Sequence, residues 1–240
     1  YGNAVIAALQ QAATKAGGSV SRVTTYPADT VDFTKVVRQF ADYERRRGAL
    51  AAQKQALAAK DDEISREALR HLEGVDSIGD TGVDALLRAE GGARLKALAP
   101  ILAYYDVDPA KVRFLGTGQW DDPDIGTEPA LIGGWYAASP PDSAAAFRRR
   151  FEAAYGRRPL RIASLGYDAV ALAAALLQQE GATKFSREAI GNPNGFAGFD
   201  GIFRFGADGV AQRGLAVMEV QRKGAKLVDP APPTFESIGQ

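Results

Sequence analysis

Short apolar runs alternate along this chain with stretches whose apolar residues recur at helical spacing, and no other feature constrains the fold so tightly. Residues 83–89 (VDALLRA), 112–115 (VRFL) and 131–138 (LIGGWYAA) read as strands bounded by glycine, proline or acidic residues. Between the first two, Leu95, Leu98 and Leu102 share one helical face. Phe147, Phe151 and Tyr155 do so over 142–155, and a helix almost wholly apolar on one side follows over 163–177. Such alternation builds right-handed βαβ units, so the expected class is α/β with a parallel sheet. At 240 residues the chain can form one large domain or two lobes without help from a disulfide or metal.

The flanking segments fit the same plan. Val5, Ile6, Leu9 and Ala13 mark a helix already under way at the start, stopped by Gly17-Gly18. Residues 19–26 (SVSRVTTY) alternate and read as a strand. Asp32-Phe33-Thr34 opens a helix carrying Val36, Val37, Phe40 and Tyr43, and that helix is expected to run on into the charged, alanine-rich stretch 44–60. Asp61-Asp62 caps a further helix with Ile64, Leu69 and Leu72, predicting a protruding helical hairpin over about 44–73. Beyond Asn192, residues 203–205 and 215–220 read as strands joined by 206–209.

Composition removes several chemistries. Lys+Arg and Asp+Glu both total 29, which argues against a dedicated nucleic-acid binder. Cysteine is absent, so a disulfide scaffold, a thiolate metal site and a cysteine nucleophile are excluded. The single histidine, His71, cannot supply a two-histidine zinc site. No apolar run reaches the ~18 residues of a membrane span. Gly116 and Gly118 lack the third glycine of a dinucleotide loop. The acids Asp121, Asp122, Asp124 and Glu128 do not follow calcium-loop spacing. Ser164 lacks the preceding glycine of a nucleophile elbow. No catalytic residue, cofactor or metal ligand set is assigned, and a non-enzymatic role is expected.

In parallel sheets ligands sit beyond the carboxyl ends of the strands. That rule selects three loops: Glu90, Gly91 and Gly92; Gly118 and Trp120 within 116–120; and Gly133, Gly134, Trp135 and Tyr136. Glycine permits close backbone approach, and the aromatic residues offer flat walls with a polar edge. Turn glycines and core aromatics are the competing reading.

From Phe147 to Leu177 the chain reads F-x-x-x-F-x-x-x-Y-G-x-x-P and then Y-D-A-V-A-L-A-A-A-L. Tyr1-Gly2 at a helix start, Asp32-Phe33 at the next, GFDGIFRF over 198–205 and Asp208-Gly209 follow in the same order. Together these pieces resemble the type I periplasmic binding proteins of the branched-chain amino-acid group, over 1 to about 228. DALLRAEGGARLKALAPIL, KVRFLGTGQWDD and ALIGGWYAA, with the charged insertion, resemble more narrowly the penicillin-binding protein activator (LppC-like) branch.

The resemblance implies a two-lobed Venus-flytrap fold without catalytic residues, located in the periplasm and often lipid-anchored. It implies a further stretch before Tyr1, so that the N-terminal part of one lobe would lie outside this sequence. Residues 1–138 with 213–228 would form the ligand-binding lobe, 139–212 the remaining part of the second, and 229–240 a tail. Tyr1 matches a family tyrosine that packs on ligand. Amino-acid binders hold the ligand ammonium with an acid near the glycine pair, and the matching place here is Gly133, without a carboxylate. The implied partners are a small polar, amino-acid-like ligand in the interlobe cleft and, by direct contact, a peptidoglycan synthase or an ABC permease. Activator and solute-binding subunit are the two readings this leaves.

Overall fold

The helix read at the start of the chain is α1, Gly2–Lys15, and it ends where Gly17 takes a left-handed conformation at φ 77°. The computed structural model describes residues 1–60, 62–178 and 184–236, and the chain divides into two units, Tyr1–Gly134 and Trp135–Gln240.

In the first unit α1 buries no residue, and its Val5, Ile6 and Leu9 line an open groove. Residues 19–26 run extended along the same groove but enter no ladder among the described residues, which corrects the expected strand. The pleat is nonetheless present: Val20, Arg22, Thr24 and Tyr26 are half-buried while Ser21, Val23 and Thr25 are exposed.

Asp32 Oδ1 accepts the Thr34 backbone N–H at 2.8 Å and starts α2, Thr34–Phe40, which buries Val37 and Phe40. The helix does not continue as expected. Asp42 takes a left-handed conformation at φ 50°, breaking it before α3, Tyr43–Ala58. Helix α4, Glu63–His71, packs on α3 and gives the expected hairpin. Asp62 caps α4 by accepting the Ser65 N–H at 2.7 Å, while Asp61 lies outside the described residues. The hairpin is rooted by Arg46, a fully buried side chain. Its guanidinium donates to the carbonyls of Ala41 and Tyr105 at 2.9 and 2.8 Å and to Ser77 Oγ at 2.8 Å.

Strand β1, Ala85–Arg88, pairs in parallel with β2, Arg113–Gly116, through α5, Gly92–Tyr104. The register runs from Ala85 opposite Arg113 to Arg88 opposite Gly116, so both strands end level. Leu95, Leu98 and Leu102 of α5 are buried, as are Val112 and Phe114, and belong to the unit's core. Three 3₁₀ turns follow: Gly118–Trp120, Ile125–Thr127 and Pro129–Leu131. The run 131–138 is therefore strand only in its second half, because Gly133 turns the chain at φ 82°.

The second unit holds β3, Trp135–Ala138, then α6, Pro141–Tyr155, α7, Ala163–Gln178, and α8, Arg187–Ile190. Strands β4, Phe203–Phe205, and β5, Ala211–Arg213, form a hairpin, so 206–209 joins β4 to β5 rather than to the later strand. That later strand is β6, Ala216–Val220, antiparallel to β3 on one side and to β7, Ala225–Asp229, on the other. The parallel pairing expected throughout thus holds for β1 and β2 but not here. A tight turn ending at Gly224 (φ 72°) suffices to reverse the chain between β6 and β7. Helix α7 leaves much of its apolar surface uncovered, with Val170 71% exposed.

Two buried carboxylates organise this unit. Asp200 accepts from Ser139, from Ser164 Oγ at 3.1 Å and from Arg161 Nη1 at 3.0 Å. Asp168 accepts the backbone N–H groups of Phe199 and Asp200 at 2.8 and 3.2 Å. A Cβ at Gly198 would collide with that carboxylate, so Gly198 makes the close approach possible.

Candidate functional site

Because β1 and β2 end level, the residues just past them face one end of the first unit's sheet. The open groove there measures about 1230 Å³ and runs past α1, the extended 19–26 segment and β1. At the carboxyl end of β1 its polar lining includes Tyr26, Arg88, Glu90, Arg94 and Gln119, with Tyr1 at the start of α1; Ser19, Arg22 and Asp84 are polar lining residues elsewhere along it.

The Tyr1 side chain is 67% exposed, and its phenol donates to Thr117 Oγ1 at 2.7 Å, tying the head of α1 to the loop after β2. Glu90 pairs with Arg94 one turn along, Nε to Oε2 at 3.2 Å and Nη2 to Oε1 at 3.3 Å. Arg94 also donates to the carbonyls of Ala28 and Thr30, at 2.6 and 3.1 Å, fixing the loop that precedes α2. Gly91 caps α5 and leaves no room for a side chain, since a Cβ would meet Gln119 at 2.8 Å. Gly92 follows in a left-handed conformation at φ 57°. Tyr1, Glu90, Gly91 and Gly92 are thus brought to one end of one unit.

Trp120 is placed differently from the expectation. It is fully buried, and its ring fills the space that glycine leaves at 116 and 134. Its Nε1 donates to the Glu90 carbonyl at 3.0 Å. The indole supports the Glu90 loop from beneath instead of forming a wall of the groove. Gly118 opens the 3₁₀ turn that carries Trp120. Gly133 presents its carbonyl to Arg113 Nη1 at 2.6 Å, and Gly134 backs the indole. Trp135 and Tyr136 belong to the second unit, where Trp135 Nε1 donates to Glu219 Oε2 at 3.1 Å and Tyr136 is buried on β3.

Sequence reasoning missed Arg88. It closes β1, is 6% exposed, and its Nη2 is buried without a hydrogen-bond partner. Burial pushes its pKa down to about 10, against the favourable charges of Tyr26 and Glu90. It therefore remains cationic at neutral pH. The Tyr26 phenol is pushed up by burial, an effect that Arg88 opposes and Glu90 reinforces. The available signal was an arginine ending an apolar strand, A-L-L-R, where a small or apolar residue is the usual choice.

The cluster offers hydrogen-bond donors, acceptors and a cation that can bind and orient a polar molecule. Among the described residues no group of three or more His, Asp or Glu converges as a metal site, and no helix is long and apolar enough to cross a membrane.

A family model described as periplasmic binding protein matches residues 74–225. A solute-binding protein of an ABC transporter from R. palustris, solved with 4-hydroxybenzoate, is similar at TM-score 0.58 and 14% identity, over 98% of this chain and 59% of that one. The leucine-binding protein LivK of Thermotoga maritima is similar at TM-score 0.51 and 18% identity, over 92% and 54%. LpoA of Haemophilus influenzae also matches, at TM-score 0.43 and 12% identity, over 70% of this chain and 34% of that one. The chain spans about half the length of the solved structures it matches. A comparison with curated proteins finds no match.

Proposed function

The chain belongs to the periplasmic binding protein family, and on that premise we propose that it is a non-enzymatic binding module holding a small polar ligand against the carboxyl ends of β1 and β2. The observation that carries this reading is the gathering of Tyr1, Glu90, Arg88 and Gln119 at one end of a groove, on a scaffold fixed by the Trp120 wedge. The polar groups fix orientation and the apolar lining, Leu86 and Leu87 among it, excludes water. The proposed ligand is amino-acid-like or an aromatic acid, the proposed downstream partner an ABC permease and the proposed setting the periplasm, a reading that the family and its solved neighbours support. The lobe assignment, 1–138 with 213–228 against 139–212, belongs to the same proposal.

Native mass spectrometry of the protein as purified tests it. The expected result is a small molecule retained natively and lost on denaturation, with retention weakened by Tyr1→Ala. An empty protein that also shows no thermal shift across amino acids and aromatic acids overturns it.

A second reading, contact with a peptidoglycan synthase as in penicillin-binding protein activators, is favoured by the α3–α4 hairpin. The hairpin projects a charged surface on which Ile64 is 82% exposed, yet it is rooted by buried Arg46. Ile64→Glu, which leaves buried Arg46 in place, separates the readings: synthase binding is weakened under the second, and ligand affinity is spared under the first.

A further inference from the structure

Arginine is rarely buried without an acceptor for each end of its guanidinium, because the unmet group forfeits its hydration. Arg88 is such a case. It lines the groove at the end of β1, makes no ion pair within salt-bridge distance among the described residues, and its Nη2 is orphaned. The one carboxylate close enough to act on it, Glu90, is already engaged by Arg94 through two bonds. Helix α5 begins just beyond. Its N-cap is Gly91, with no side-chain cap and no acidic residue in its first turn. The positive end of this thirteen-residue helix thus begins three residues along the chain from Arg88, with Glu90 the one carboxylate between them.

Resting on the binding-module reading above, we infer that Arg88 is the anchor for an anionic oxygen of the ligand, a carboxylate or phosphate, received between its free Nη2 and the start of α5. The orphaned state stores the driving force. Arg88 lines the groove, and its unmet hydrogen bond favours pairing with an anionic acceptor that arrives there. Arg88 therefore sets specificity: neutral molecules of the same shape leave the guanidinium unsatisfied, and anions satisfy it.

Side-chain NMR of the full chain with isotope-labelled arginine and tryptophan tests this, using benzoate, inorganic phosphate and the neutral near-isostere benzamide as probes. The expected result is a saturable shift of the Arg88 guanidinium signal with an anion and none with benzamide. Whichever anion acts, benzoate or phosphate, identifies the oxygen's source. Arg88→Met is expected to weaken anion binding about tenfold or more. It should also melt no lower than the native protein, because it removes a buried, unsatisfied charge. A lower melting point would mark Arg88 as a structural residue and overturn the inference. So would an Arg88 signal unmoved by both anions, or moved equally by benzamide. If benzamide shifts the Trp120 indole signal while Arg88 stands still, the binding-module reading survives and this inference alone falls. A spectrum unmoved by all three probes overturns the anchor, and the retained-molecule measurement then decides the broader reading by itself.

Discussion

The Trp120 indole occupies the space above Gly116 so completely that no side chain fits there: a Cβ at 116 would fall inside the ring's van der Waals surface. Gly134 meets the same ring, with a Cβ–ring distance of 2.8 Å. Gly116→Ala is therefore expected to expel the indole, costing about 2–3 kcal/mol. Urea unfolding measures the loss, and a red-shifted tryptophan emission reports the displaced ring. Native-like stability and emission would show that the wedge is dispensable.

Arg46 holds the hairpin by what it donates to. Its bonds satisfy the backbone carbonyls of Ala41 and Tyr105, and its Nη1 lies 3.3 Å from Asp106 Oδ2. Arg46→Met leaves those acceptors unpaired and is expected to destabilise the first unit by about 3 kcal/mol. Arg46→Lys rescues little, because one ammonium cannot reach acceptors spread around a planar fork. Thermal melts of both variants check this; a full rescue by lysine would show that charge alone matters.

Asp200 is the equivalent knot in the second unit, with Ser139, Ser164 and Arg161 all directed at one carboxylate. Asp200→Ala strands two hydroxyls and a half-exposed guanidinium. A loss of about 2–3 kcal/mol is expected. Proteolysis of α6 and α7 under native conditions should accelerate accordingly. Unchanged cleavage would contradict the role given to this carboxylate.

Tyr26 gives a pH-dependent signal. Burial raises its pKa above the ordinary 10.0, with Arg88 opposing. The unfolded chain loses this proton first. The contribution of Tyr26 to stability is thus fully present below pH 10 and is lost as pH rises through the higher folded pKa. Arg88→Met removes the opposing charge and is expected to move the phenolate absorbance transition of Tyr26 further up. A downward movement would mean that Arg88 does not face the phenol.

Much of this architecture can be read from periodicity. Leu95, Leu98 and Leu102 identify α5, and the bracketing runs identify β1 and β2, because burial there follows the helical and pleated periods. What escapes is of three kinds. The break before α3 rests on Asp42 in a left-handed conformation, which few sequences announce without glycine. Strand β7 is exposed along its whole length, so no apolar alternation marks it. The site itself misleads: glycines beside an aromatic residue suggest room for a ligand, whereas Gly116 and Gly134 make room for Trp120. Likewise the Y-D-A-V segment that carries the family likeness is structural chemistry, its Asp168 binding the backbone at Phe199 and Asp200.

The division at Gly134 gives each unit one of the chain's two tryptophans. Trp120 is sealed in the first unit, and Trp135 is half-buried in the second beside Glu219. Replacing either one with phenylalanine leaves a fluorophore that reads a single unit. Two such variants, followed through one denaturant series, yield separate unfolding curves for the two halves of a single polypeptide. Whether those curves coincide is a direct measure of cooperativity between the halves, obtained without cutting the chain.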